Sequence, residues 1–328
     1  MTSRPPVRIA LVIAFALACA AASDSAAAQS LVRGRVVRGG VGVAGVPVQL
    51  HRVSRDAQGV VDSAASGADG AFALRRPAGD GAGGFQVVFA TATHHGVRYF
   101  GPAVQGSAAP DGYEVAVHDT TSAAAAADSV RVTRRDLFLV PDSARGGWRA
   151  VEMVRLRNAS SRTVVPGARP AVGVTLPVGA EGFVSGGGGE SDAPPLGMVI
   201  DGERAWASEP ILPGERDALY RYHLPGSAGG TELALSEATD TFFLYLPRAT
   251  SGVRVTGVLD ASAVTVEGEP LTRYGGAIRS GARIAIEWGE RGGGGSDSDR
   301  VMVAVLIAAV LAGVGAWALA ARRRRAAE

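Results

Sequence analysis

From Val32 onward, apolar residues recur at every second position in short runs. Val46, Val48 and Leu50 alternate with Pro47 and Gln49, and Phe72 and Leu74 with Ala71 and Ala73. Phe85, Val87 and Phe89 follow the same rule, as do Tyr113, Val115 and Val117. A period of two marks strands with one buried face. Gly39-Gly40, Asp69-Gly70, Gly83-Gly84 and Asp111-Gly112 supply turn signals between the runs. After Thr120–Asp128, a run with five consecutive alanines, the alternation resumes. Val130 and Val132 lead to Leu137 and Leu139; then come Val172, Val174 and Leu176, and Met198 and Ile200. Tyr220, Tyr222 and Leu224, Leu233 and Leu235, and Phe242, Leu244 and Leu246 make further runs. Val253 and Val255, Val264 and Val266, and Ile284, Ile286 and Trp288 complete the series. No long amphipathic helix interrupts it. The pattern predicts an all-β chain of two tandem antiparallel β-sandwich domains, over 32–119 and 129–289, with 120–128 as a linker.

Both ends break the pattern. Arg4 and Arg8 precede an apolar run from Ile9 to Leu17 and a small-residue site at Ala26-Ala27-Ala28, which reads as a secretory signal peptide over 1–28. At the other end a Gly-rich hinge, 290–300, leads into Val301–Ala321, an uncharged stretch long enough for one transmembrane helix. Arg322, Arg323, Arg324 and Arg325 follow as a topology signal that keeps the 322–328 tail cytoplasmic. The expectation is a single-pass bacterial membrane protein with its N-terminal domains exported. Ala304, Ala308, Ala312, Ala316 and Ala320 recur every four residues and form a small-residue stripe suited to helix packing. The Gly292–Gly295 run, helix and Arg cluster have an alternative reading as a processed sorting signal, from which Ser296–Arg300 departs.

Residues 32–118 resemble the carboxypeptidase regulatory-like domain, a sandwich of transthyretin-like shape. The likeness rests on Gly34-Arg35-Val36, on Gly45-Val46-Pro47-Val48-Gln49-Leu50, on Ser66-Gly67-Ala68-Asp69-Gly70-Ala71-Phe72 and on Gly84-Phe85-Gln86-Val87. Ser66 and Phe85 stand where the family more often has Thr and Tyr. Asp69, Gly70 and Phe72 form the fold-signature turn: Asp-Gly provides the positive φ of a tight hairpin, and Phe72 enters the core. The resemblance implies an accessory module and carries no catalytic residues.

Composition removes several function classes. The net charge of +2 belongs to the ends: the leader contributes +1 and the tail +3, leaving −2 for the remainder. That balance gives no reason to expect nucleic acid. Every basic side chain except histidine is Arg, a feature of GC-rich bacterial coding. The single cysteine, Cys19, lies in the leader, so the exported part forms no disulfide; a lipoprotein-like reading of Ala16-Leu17-Ala18-Cys19 is the alternative.

The search for chemistry ends without a catalytic constellation. His51, His94, His95, His118 and His223 lack zinc-site spacing; His94 and His95 are adjacent and read as a hairpin tip before Gly96. No G-x-S-x-G elbow is present. Glu203, Glu209, Glu215 and Asp217 form a loose acidic group, and Tyr220, Tyr222, Phe243 and Tyr245 are candidates for a sugar-binding face. Asn158-Ala159-Ser160 matches a glycosylation acceptor. No cofactor is implied. The expected role is non-enzymatic binding or scaffolding of an envelope protein at the membrane bilayer, with adhesion or polysaccharide binding as the alternative.

Overall fold

The computed structural model describes residues 31–288, apart from 56, 77–85, 106–111, 127, 143, 168–170, 187–195, 227–228, 236–238, 249–251, 258–259 and 267. The leader, the Ala304–Ala320 stripe and Arg322–Arg325 lie outside the described residues, as do Gly83-Gly84. Among the described residues no helix is long and apolar enough to cross a membrane. The chain is all-β, built from several sheets in a manner consistent with β-sandwiches, and divides into two units between Val117 and His118.

The first unit contains β1 (Leu31–Arg38), β2 (Val41–Gly42), β3 (Pro47–Ser54), β4 (Gln58–Ala65), β5 (Ala71–Arg75), β6 (Gln86–His94), β7 (Val97–Phe100), β8 (Val104–Gln105) and β9 (Tyr113–Ala116). In one sheet β1 pairs with β2, β5 and β9; in the other the order is β4-β3-β6-β7, with β8 also on β6. The predicted alternation is reproduced at Val48, Leu50, Phe72, Leu74, Tyr113 and Val115, which are buried; on β6 its phase is reversed, because Val88 and Ala90 face the core and Val87 and Phe89 are only partly covered.

Tyr113 ties the sheets together. Along β6, pairing to β7 covers Thr91–His94 and pairing to β8 covers Val87 and Val88. The gap between them leaves the Ala90 amide without a ladder partner. The Tyr113 hydroxyl, reaching across from β9, accepts from Ala90 N at 2.8 Å and donates to Pro102 O at 2.9 Å. Phe72 meets the Tyr113 ring edge-on at 6.3 Å.

The Asp69-Gly70 turn forms with the required backbone, Gly70 at φ +82°, but it is not a hairpin. It carries the chain from β4 in one sheet to β5 in the other. Asp69 Oδ1 accepts from Ala71 N at 3.0 Å, and the Asp69 carbonyl accepts from Arg35 Nη2 at 2.8 Å. The Val36 amide donates to Gly70 O at 2.8 Å, docking the turn on β1. A side chain at Gly70 would lie 2.4 Å from Val36 O, so this corner excludes every other residue on space as well as on φ.

The second unit contains β10 (Thr120–Ser122), β11 (Val130–Pro141), β12 (Trp148–Asn158), β13 (Thr163–Val165), β14 (Gly173–Thr175), β15 (Glu181–Ser185), β16 (Met198–Asp201), β17 (Arg204–Ala207), β18 (Gly214–Leu224), β19 (Gly230–Leu235), β20 (Thr239–Pro247), β21 (Val253–Thr256), β22 (Asp260–Val266), β23 (Glu269–Ile278) and β24 (Ala282–Trp288). A seven-stranded sheet runs β15-β18-β12-β11-β20-β23-β22, accompanied by the smaller sheets β14-β17-β16, β19-β24-β21 and β10-β13. One cluster joins Leu137, Leu139, Val154, Tyr220, Tyr222, Phe242 and Leu244 of the large sheet to Val174, Leu196, Ala205, Leu233 and Ile286.

Two expectations are corrected here. Residues 120–128 are not a plain linker: β10 pairs with β13, and a 3₁₀ turn at Ala124–Ala126 places Ala123 and Ala126 in the second unit's core. The sheets are not purely antiparallel either. The pairs β1–β9, β10–β13 and β11–β20 are parallel, because each joins strands separated by long connections that return the chain in its original direction.

Tyr113→Phe leaves the buried Ala90 amide without its acceptor and the Pro102 carbonyl without its donor. The expected loss of stability is about 1–3 kcal/mol, read from urea unfolding of the full chain.

Candidate functional site

The richest chemistry lies on the two faces of the seven-stranded sheet, and one irregularity separates them. Val130 and Val132 of β11 point to the main core. The register against β12 then shifts between Val132 and Arg134. The extra residue flips the alternation, so that Arg135, Leu137 and Leu139 face the core while Arg134, Asp136 and Phe138 face the other way.

On the core face Arg135 is fully buried. Its Nε donates to Glu152 Oε1, and its Nη2 donates to Thr175 O at 2.6 Å. Tyr222 donates its hydroxyl to Glu152 Oε2 at 3.0 Å. Arg135 and Glu152 occupy diagonal positions on adjacent strands, where long side chains meet. Burial alone disfavours the guanidinium charge, but Glu152 outweighs it and holds the Arg135 pKa above its ordinary value. Burial, then Glu152, likewise pushes the Tyr222 phenol well above the usual tyrosine range. The carboxylate, enclosed and engaged at both oxygens, has no access to a substrate. This triad is a structural device inside the core.

The opposite face carries a second network. Arg134 clamps Asp136 with two bonds, 2.6 Å from Nε and 2.9 Å from Nη2. Tyr245 donates to Asp136 Oδ1 at 3.2 Å and stacks on Phe138 at 4.3 Å. The guanidinium carbons of Arg134 and Arg273 lie 5.2 and 4.8 Å from the Phe243 ring centre. Phe243 reaches this position because β23 has Gly275 opposite it; a Cβ there would stand 2.1 Å from the ring. Arg155 forms a second two-bond clamp on Asp217, at 2.8 and 3.1 Å. Burial, followed by the Asp136 charge, pushes the Tyr245 phenol up to about 12.

The structure redistributes the residues singled out from sequence. Tyr220 and Tyr222 face the main core, whereas Phe243 and Tyr245 face the other side, so the four line no common face. Glu203 sits in the β16–β17 turn and Glu209 precedes β18, while Glu215 and Asp217 share β18, where Arg155 holds Asp217. His94 ends β6, and His95 has a positive φ of 48° in the turn to β7. That conformation cancels the strand alternation and stacks the two rings at 3.9 Å. Asn158 is buried and donates to Arg162 O and Ile211 O at 2.8 and 3.0 Å, an environment with no room for a glycan.

Sequence reasoning passed over a surface patch on the small β14-β17-β16 sheet. Val199 of β16 is 51% exposed; Ile200, expected to be buried beside Met198, is 45% exposed on the strand's other face. Val199 lies opposite Trp206 of β17. The indole rests on Gly173, and the Arg204 guanidinium stands 4.6 Å from its ring centre. Arg204 and Trp206 at alternate positions of one short strand were the available signal. Compared with known proteins, the chain matches no family and no curated relative.

Two outcomes are expected. Glu152→Ala strands the Arg135 charge and lowers stability by about 3–5 kcal/mol, while Arg135→Met, Glu152→Leu and Tyr222→Phe together restore it, as denaturant unfolding reads. The Tyr245 phenolate, taken as the ultraviolet titration difference between the parent chain and Tyr245→Phe, appears near pH 12. The folded state holds this proton more tightly than the unfolded chain. The stabilising contribution is therefore complete below pH 10 and is lost as pH rises towards 12.

Proposed function

We propose that this chain is an exported, membrane-anchored envelope protein whose β-sandwich domains bind another protein without catalysing a reaction. The carrying observation is the patch formed by Val199, Trp206 and Arg204 on one face of β16 and β17. It pairs exposed aliphatic surface with Trp and Arg, the residue types that dominate protein–protein hot spots.

The distribution of aromatics supports protein over sugar. A sugar platform needs a ring face open to solvent. Tyr220, Tyr222 and Tyr245 are buried, and Phe243 lies beneath two guanidinium groups. The first unit's resemblance to carboxypeptidase regulatory-like modules, common as accessory domains, fits the same reading. The apolar Val301–Ala321 stretch followed by Arg322–Arg325 supports a tether with the two units outside the cytoplasm.

A cross-linked pull-down of the full chain from its own membranes tests this. The expected result is a protein captured in near-equal amount, lost when Val199→Asp and Arg204→Glu are combined. Retention in a chain truncated after Glu290 assigns the contact to the sandwiches and leaves the helix as a tether. Recovery of polysaccharide alone sinks the proposal.

A further inference from the structure

The seven-stranded sheet ends in β22, which among the described residues is the longest edge strand with an unbroken register. Edge strands expose backbone groups that recruit foreign strands, so folded chains guard them with bulges, charges or brevity. β4 is guarded by a register shift opposite Leu50 and His51, and by Asp62, which accepts from Ser63 N and from Arg75 N of β5. β15, the opposite edge of the large sheet, has its own register shift between Glu181 and Val184. β16 and β21 are only four residues long. β22 has seven residues paired to β23 in unbroken register, no Pro, no basic residue and one acidic residue at its start.

The ladder shows which backbone groups point outward. Arg248 N donates to Pro270 O, so Pro270, Thr272 and Tyr274 turn their polar groups towards β20. Leu271, Arg273 and Gly275 therefore face β22 and pair with Val264, Ser262 and Asp260. Ala261, Ala263 and Thr265 are left with N–H and C=O directed off the sheet. All three are exposed, and among the described residues nothing bonds to their backbones.

We propose that this edge pairs, antiparallel and about a two-fold axis, with β22 of a second copy of the chain. The outward triad is centred on Ala263, so the register with the most bonds places Ala263 opposite Ala263 of the copy, and Ala261 opposite Thr265. That register is symmetric, as an isologous dimer demands. It is also free of like-charge contact, since Asp260 falls opposite Val266 and Ser262 opposite Val264. On one face the seam carries only Ala and Thr side chains, which let the strands approach. On the other, Val264 and Val266 are the half-buried end of the apolar cluster formed with Tyr245, Leu271 and Phe138. A second copy would continue that cluster across the seam and cover them. This pairing is independent of the partner patch on β16 and β17.

The test uses the full chain in detergent or nanodiscs, with Cys19→Ser removing the native thiol and Ala263→Cys supplying one. Bonded antiparallel neighbours have Cα atoms about 5.5 Å apart, within disulfide range. Oxidation is expected to give a covalent dimer of the chain. Thr265→Pro removes an outward N–H that β23 does not use, and is expected to abolish the cross-link. Ala261→Lys with Thr265→Lys sets like charges opposite one another and is expected to do the same, with thermal melting of each variant reporting that the fold survives. A monomer under oxidation, a cross-link indifferent to both variants, or disulfide capture of a different protein would overturn the proposal. A dimer held only by the Val301–Ala321 segment gives that second result.

Discussion

A single extra residue in β11 organises the second unit. The shift between Val132 and Arg134 lets one strand serve two apolar faces: Val130, Val132, Leu137 and Leu139 on one, Phe138 and Val140 on the other. It also drives a guanidinium into the main core. Once Arg135 is inside, Glu152 on β12 and Tyr222 on β18 have to be there too, because a buried unpaired charge is far more costly than a paired one. The three strands at the heart of the sheet are thereby fixed in register by a diagonal polar contact. An apolar set alone would tolerate slippage by two residues; the Arg135–Glu152–Tyr222 arrangement would not.

The first unit solves a smaller version of the same problem with neutral groups. Where β7 and β8 fail to cover β6 continuously, the Tyr113 hydroxyl takes the place of backbone. Ser66 acts similarly nearby, accepting from Val46 N at 2.9 Å and donating to Val43 O at 2.7 Å. A hydroxyl bridging two backbone groups is what this position needs, and Ser66 supplies it. Both contacts link segments far apart in sequence, so the sheets hold each other through hydroxyls as well as through apolar burial.

Placement of charge separates interior from surface in a consistent way. Arg134, Arg155 and Arg273 are half-buried, held by carboxylates or by the Phe243 ring. The planar guanidinium allows both uses, which explains how a chain without Lys builds a polar sheet face. The same face fades towards β22, where Arg273 still reaches Ser262 but the strand itself carries small neutral residues.

The sequence by itself determined the strand content, the long apolar segments at the ends and the Asp69-Gly70 corner, since each depends on local backbone preference or period. It also held a trace of the bulge: the apolar positions pass from even numbers at Val130 and Val132 to odd numbers at Leu137 and Leu139, which demands one extra residue between them. Strand β12 escaped notice because Glu152 falls among its core positions and the apolar Val151 and Met153 fall on its other face, although Ala150, Val154 and Leu156 lie in the core. Tertiary structure alone decided that Asp69-Gly70 joins two sheets rather than two paired strands, that Ala123 and Ala126 belong to a core, and that the four aromatics divide between opposite faces. Each of these follows from which strands become neighbours. Pairing is set by the burial of surfaces far apart in the chain, and no local pattern of hydrophobic and polar residues encodes it.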